Sequence, residues 1–222
     1  MDPEPVLERL LESDVLDGGE ELGYTDPFLK KREQWESALS PDDQDGHSRI
    51  DTAVDSAPMR DRMQSVAAYD SSFAALYLSI SEFVADTTDV SLVPAAVVLD
   101  SLENRPSPTS GSPDGFLPIS GHSIRTYSVM YEQAIVFVWR EDCPTCELVR
   151  EDLENIFADG SQEIALFSVY GPSCPELLSG EYDVGGGPTT LFFRDGTIDS
   201  RTVGALQPGI LEREVEVLRG TA

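Results

Sequence analysis

Cys143 and Cys146 stand three positions apart in "AIVFVWREDCPTCELVREDLENIF", residues 134–157. Two thiols at this spacing can exchange with a disulfide, supply half of a tetrahedral zinc site, or be an inert feature of a turn. Few other residues offer comparable chemistry. Cys174 in "GPSCPELL", His122 near "ISGHSI" and His47 in "SPDDQDGHSRI" complete the set, without the spacing of zinc ligands. Cys174 reads as a loop thiol of no catalytic consequence, with a regulatory or resolving thiol as the alternative. His122 reads as a capping or surface residue, and His47 as a solvated loop histidine. Met59 and Met63 read as core filler rather than a soft-metal site.

The elements around the pair decide between these chemistries. "AIVFVW" is short, apolar and rich in β-branched residues, which predicts a strand buried on both faces. From Cys146 onward, Val149, Leu153, Ile156 and Phe157 recur at helical spacing. Pro144 suits a first helical position, where its missing N–H would have no partner anyway. Cys143 then sits at the amino end of a helix, whose partial positive charge favours thiolate over thiol. A thiolate is the nucleophile of disulfide exchange, and Cys146, one turn on, can attack the resulting mixed disulfide.

The rest of this half alternates in the same way. "EIALFSVY" reads as a strand, and "PTTLFF" with "TIDSRTV" reads as a hairpin about Asp195-Gly196. "QPGILEREVEVLRG" reads as a closing helix with Ile210, Leu211, Val215 and Leu218 facing inward. Strand, helix, strand, hairpin, helix implies an α/β unit: a mixed sheet with helices on both faces.

With those motifs in order, residues 116–222 resemble a thioredoxin-fold domain, and thioredoxin itself most closely. "FVWREDCPTCELV" resembles the active-site stretch, with Trp139 matching its first tryptophan. "YDVGGGPTTLFFRDGTI" is similar to the second signature, which implies that Pro188 is a cis proline beside the cysteine pair. "TVGALQPGILEREVEVL" resembles the end of the fold, with Gly204 where helix and substrate groove meet. The resemblance implies catalytic residues Cys143 and Cys146, a redox-active disulfide between them, and substrate contacts from Trp139, Gly187, Pro188 and Gly204. It implies no metal or organic cofactor. Its partners would be protein disulfides and a disulfide reductase. Three glycines before Pro188 present a backbone that another chain can approach, and Gly187 can then pair with an extended peptide.

Several positions depart from that pattern. Asp142 replaces the second tryptophan and, with Glu141 and Glu147, sets negative charge around the nucleophile. Phe137 stands where the family carries a buried aspartate. The dipeptide between the cysteines is Pro-Thr rather than Gly-Pro. A glutaredoxin is similar in its Cys-Pro-x-Cys, but "TVGALQPG" lacks the stretch that would hold glutathione. A periplasmic disulfide oxidase would need a long helical insertion between Tyr170 and Pro188, and the sequence leaves no space for one.

A Pro/Ser/Gly-rich segment, "NRPSPTSGSPDG" at 104–115, reads as a linker. Residues 1–103 before it read as a mostly α-helical domain. "DPFLKKREQWESAL" is expected to begin with an Asp cap. Met59 to Phe83 reads as one amphipathic stripe or two broken near Asp70, and Pro94 as part of the first turn of "SLVPAAVVLDSLEN". No residue group in this half points to chemistry.

Charge sets the remaining expectations. The 222 residues carry 41 acids against 15 lysines and arginines, a formal net charge of −26, with both lysines adjacent at Lys30 and Lys31. The excess is spread along the chain, 23 acids and 8 bases in residues 1–110 and 18 and 7 in the rest. Such a field repels nucleic acids and anionic membranes. It suits a halophilic acidic proteome, since at ~1 M salt the screening length falls to about 3 Å and self-repulsion fades. "MDPEPVLERL" is acidic where an export signal is basic, so a cytoplasmic protein is expected. The predicted activity is intracellular thiol–disulfide exchange. The alternatives are a redox-inactive thioredoxin-fold adaptor that docks partners mainly through its helical half, and a zinc-stabilised structural protein.

Overall fold

In this computed structural model the chain divides into two compact units, residues 2–102 and 103–222. The described residues are 4–19, 22–40, 45–84, 89–160, 163–205 and 209–220.

The first unit is mostly helical. It comprises α1 (Glu4–Glu12), a small antiparallel pair β1 (Leu16–Gly18) and β2 (Leu22–Tyr24), then α2 (Asp26–Ala38), α3 (Gly46–Ala53), α4 (Ala57–Ala67), α5 (Ser71–Phe83) and α6 (Asp89–Glu103). Thr25, not Asp26, caps α2: its Oγ1 accepts from the Phe28 N–H at 3.3 Å, leaving Asp26 as the first helical residue. Asp70 separates α4 from α5 by accepting from the Phe73 N–H at 3.1 Å, so the apolar stripe is two helices. Phe73 to Ile80 are buried without interruption, because α5 is apolar all round and forms the centre of this unit. Phe28 meets Phe83 edge-on, with centroids 5.5 Å apart, and Trp35 Nε1 donates to Glu82 Oε1 at 2.8 Å. α6 starts at Asp89, which places Pro94 inside the helix rather than in its first turn. His47 lies in α3 and not in a loop; its side chain, and residues 41–44 of the expected loop, fall outside the described residues.

The second unit contains β3 (Leu117–Pro118), α7 (Ile124–Met130), β4 (Gln133–Trp139), α8 (Pro144–Ile156), β5 (Ala165–Tyr170), α9 (Pro175–Glu181), β6 (Thr189–Arg194), β7 (Thr197–Val203) and α10 (Ile210–Arg219). Its sheet has the order β3-β5-β4-β6-β7, parallel across β3, β5 and β4 and antiparallel across β4, β6 and β7. β4 is paired on both sides, which is why Ala134 to Trp139 tolerate no polar residue and are all buried. Alternation splits the strand between two faces. Ile135, Phe137 and Trp139 join Val149 and Leu153 of α8 and Leu211 and Val215 of α10 in one cluster. On the β5 strand, the Phe167 ring packs at a tilt against Tyr127 of α7, with centroids 5.4 Å apart. The expected α/β architecture, a mixed sheet flanked by helices and preceded by a helical unit, is therefore present.

Asp195 and Gly196 turn the β6–β7 hairpin with φ of 48° and 74°, the paired left-handed conformations that a two-residue hairpin loop needs. In α10, Leu211, Val215 and Leu218 face inward as expected, but Ile210 is 41% exposed. Its position at the helix start leaves it on the solvent side. Leu206, Gln207 and Pro208, part of the third resemblance motif, lie outside the described residues.

Candidate active site

β4 ends at Trp139 and α8 begins at Pro144, so four residues carry the chain from the sheet into the helix. Asp142 takes φ 50° in this turn, a left-handed conformation that Asp accepts more readily than most residues. Cys143 is the N-cap of α8. Its Sγ accepts from the Cys146 N–H at 3.1 Å, and its carbonyl accepts from the Cys146 and Glu147 N–H groups at 2.9 and 3.2 Å. A capping sulfur here takes the place of the usual Ser or Asp oxygen and meets the positive end of the helix. Cys143 and Cys146 form a disulfide with their Cα atoms 5.2 Å apart.

The disulfide is mostly enclosed, Cys143 being 6% and Cys146 5% exposed, and both cysteines line a cleft of about 440 Å³. Trp139 forms part of the cleft lining. Charged residues surround it: Glu141, Asp142 and Glu147 oppose Arg140 and Arg150. Trp139 also packs against Tyr170 with centroids 5.0 Å apart, and the Tyr170 hydroxyl donates to Glu141 Oε2 at 3.4 Å. Desolvation, then the negative charges of Glu141 and Asp142, push the Tyr170 phenol above its ordinary value. Beneath the site Phe137 is fully buried, opposite Ser168 on β5 and Thr190 on β6. Where the resembled family carries a carboxylate, this chain carries an apolar ring.

The Gly187–Pro188 peptide is cis. Gly187 runs close against the end of β4: a Cβ there would lie 3.2 Å from Val138 O and 3.4 Å from Trp139 Cα. Pro188 is buried, and its carbonyl accepts from the Gly204 N–H at 2.9 Å. Trp139, Gly187, Pro188 and Gly204 are thereby gathered at one end of the sheet. Of these four, Trp139 alone lines the cleft, and it joins the cysteines to the proline loop. Arg201 ties the approach to that loop, its Nη1 donating to the Tyr182 and Asp183 carbonyls at 3.1 and 3.0 Å.

Cys174 lies apart from the pair, a free buried thiol at the start of α9. Burial raises it above the ordinary thiol value, against smaller opposing effects of Ser173 and Gly121. His122 is exposed in a short 3₁₀ turn. Among the described residues no group of three or more His, Cys, Asp or Glu is arranged to hold a metal ion. Sequence reasoning missed Ser110 and Gly111, which line the cleft from within the expected linker. Their Ser/Pro/Gly setting has no periodicity to reveal it.

No family model matches the chain, and no curated protein matches it. Among solved structures, a mutant thioredoxin from Halobacterium salinarum NRC-1 is similar at 22% identity and TM-score 0.42, covering 48% of this chain and 93% of that one. Oxidized mitochondrial thioredoxin 3 from Saccharomyces cerevisiae is similar at 16% identity and TM-score 0.42, covering 46% of this chain and 95% of that one.

Proposed function

We propose that the chain is a thiol–disulfide oxidoreductase that reduces or exchanges protein disulfides through Cys143 and Cys146. The observation that carries this reading is the pair's placement at the amino end of α8. There the Cys143 sulfur receives a backbone N–H and opens on a cleft, with its partner one turn behind it.

In the reduced protein the Cys143 thiolate attacks one sulfur of a substrate disulfide. A mixed disulfide forms, and the other substrate sulfur leaves as a thiolate and takes a proton. Cys146 loses its proton and attacks Cys143 Sγ, releasing the second substrate thiol and closing the Cys143–Cys146 disulfide. Two electrons have passed to the substrate, and a disulfide reductase must return two for the next cycle. Gly187 and Pro188 hold the incoming peptide by short strand pairing, while Trp139 and Gly204 border the groove.

The reaction belongs to residues 116–222 and needs neither metal nor organic cofactor. The net charge of −26 favours a salty cytosol and disfavours nucleic acids and anionic membranes as partners. No helix among the described residues is long and apolar enough to cross a membrane.

Replacing Cys146 with Ser tests the proposal. The variant is expected to accumulate proteins bound to Cys143 through mixed disulfides, released by dithiothreitol, while the wild-type pair cycles in a dithiol–disulfide titration. An empty trap together with a pair that never changes oxidation state would assign the chain to the adaptor class instead.

A further inference from the structure

Gly111 lies close against the Trp139 indole: a Cβ built on it would overlap the ring atoms Cε3, Cζ3 and Cδ2. Only a residue without a side chain lets the backbone come so close. The flanking residues are fastened at several points. Ser168 Oγ donates to Ser112 Oγ at 2.6 Å, and the Asp114 N–H donates to Glu154 Oε1 at 3.1 Å. Arg150 Nη1 donates to Ser110 O at 3.5 Å, and Phe116 meets Phe157 edge-on at 5.9 Å. The segment is thus bound to α8 and β5 on either side of Gly111.

We propose that Ser110 and Gly111, anchored through residues 112–114, are the fixed wall of the disulfide cleft and set its substrate class. They favour small disulfides and narrow, extended peptide segments over disulfides carried on broad folded surfaces. The proposal rests on the oxidoreductase reading of Cys143 and Cys146. A cleft of about 440 Å³ is the size of a small-ligand site, and Ser110 and Gly111 form one side of it. Without the segment the Trp139 side would be open and a convex surface could reach the sulfurs. Gly111 is the specificity-determining residue. Arg150, on the same helix as the disulfide, is a positioning residue that holds Ser110 in place.

Access to Cys143 measures the wall directly. The full-length reduced protein is treated with iodoacetamide and, separately, with the same reactive group on a bulky polymer. Labelling is followed on the Cys143 peptide. Wild type is expected to favour the small reagent strongly. Gly111→Val, which forces the segment off the ring, is expected to narrow that ratio by roughly fivefold or more. Ser112→Ala loosens the same segment without touching the cleft; it should narrow the ratio too and serves if Gly111→Val fails to fold. A merely structural role would change both labelling rates together and leave their ratio alone. In parallel, exchange is assayed with bis(2-hydroxyethyl) disulfide and with a folded protein disulfide, and the variants are expected to gain on the protein substrate. Exchange by the wild type with unchanged labelling ratios overturns the wall alone. Narrowed ratios with no exchange of either disulfide overturn the substrate assignment together with the oxidoreductase reading.

Discussion

The backbone N–H of Cys146 donates to Cys143 Sγ at 3.1 Å, inside the first turn of the helix that Cys143 caps. The donor belongs to the helix backbone, so it stays in place when the disulfide is reduced. Cys146 sits a turn deeper and has no equivalent position at the helix end. Cys143 is therefore expected to be the more nucleophilic thiol of the reduced pair. Limited alkylation of the reduced protein by iodoacetamide should modify Cys143 about tenfold faster than Cys146. Peptide mapping reads the order, and equal rates or a Cys146 preference would refute the assignment.

The charges around Cys143 should make the reactivity of its reduced sulfur depend on salt. Glu141, Asp142 and Glu147 line the cleft against Arg140 and Arg150, leaving a net negative surround. Raising salt from ~0.1 M to ~1 M shortens the screening length from about 10 Å to about 3 Å and weakens that repulsion. Alkylation of Cys143 by a neutral reagent should therefore accelerate with salt at constant pH. Glu147→Gln should raise the low-salt rate and flatten the dependence. A rate that falls with salt would mean that Arg140 and Arg150 dominate the field.

Both predictions rest on elements that the sequence makes legible. The apolar run of β4, the spacing of Val149 and Leu153 and the Asp195-Gly196 turn each follow from one strong local rule, and each agrees with the tertiary structure. The features that the sequence hides lack such a rule. The segment 110–114 looks like a linker because Gly, Ser and Pro carry no apolar periodicity, yet its role comes from a single close approach of Gly111 to Trp139. α7 and α9 have 7 residues each, too few for a stripe to repeat. The cap of α2 lies one residue before the expected Asp26 because Thr25 and Asp26 are both competent caps, and only the Phe28 hydrogen bond distinguishes them. Ile210 has the right residue type for the core but sits at the exposed start of α10.

Cys174 provides a control for the thiol chemistry. It is buried, and a Cβ on Gly121 would overlap its sulfur, so the site has no space for a reagent. Burial also holds its thiol protonated. In the native reduced protein Cys174 should resist iodoacetamide at neutral pH while Cys143 reacts, and it should become reactive in denaturant. Cys174→Ala should leave disulfide exchange unchanged. Rapid native labelling of Cys174, or loss of exchange in the variant, would give this thiol a part in the reaction.

The β6–β7 turn tests how the hairpin is held. Gly196 has φ 74°, and a Cβ there would meet Val129 of α7. Gly196→Ala adds the left-handed penalty of about 1–2 kcal/mol to a steric displacement of that helix. Denaturant unfolding should show a loss of roughly 2 kcal/mol or more, with the slope unchanged. A smaller loss would mean that the turn relaxes into another type.

Tyr131 links stability to alkaline pH. Its ring meets Phe167 at 5.9 Å, and its hydroxyl is buried without a hydrogen-bond partner. Burial raises the phenol above its ordinary value. Below about pH 10 both folded and unfolded chains keep this proton, and the group adds no pH dependence. Above it the unfolded chain loses the proton while the folded chain retains it. The unfolded state then binds fewer protons, and stability falls as pH rises, by up to about 1.4 kcal/mol per pH unit for one group. Tyr131→Phe removes both the titration and the unsatisfied hydroxyl. The variant should match or exceed wild type at pH 7, by up to about 1 kcal/mol, and its stability should decline less steeply above about pH 10. Urea unfolding across that range measures the difference in slope, and parallel declines would place the Tyr131 hydroxyl in contact with solvent.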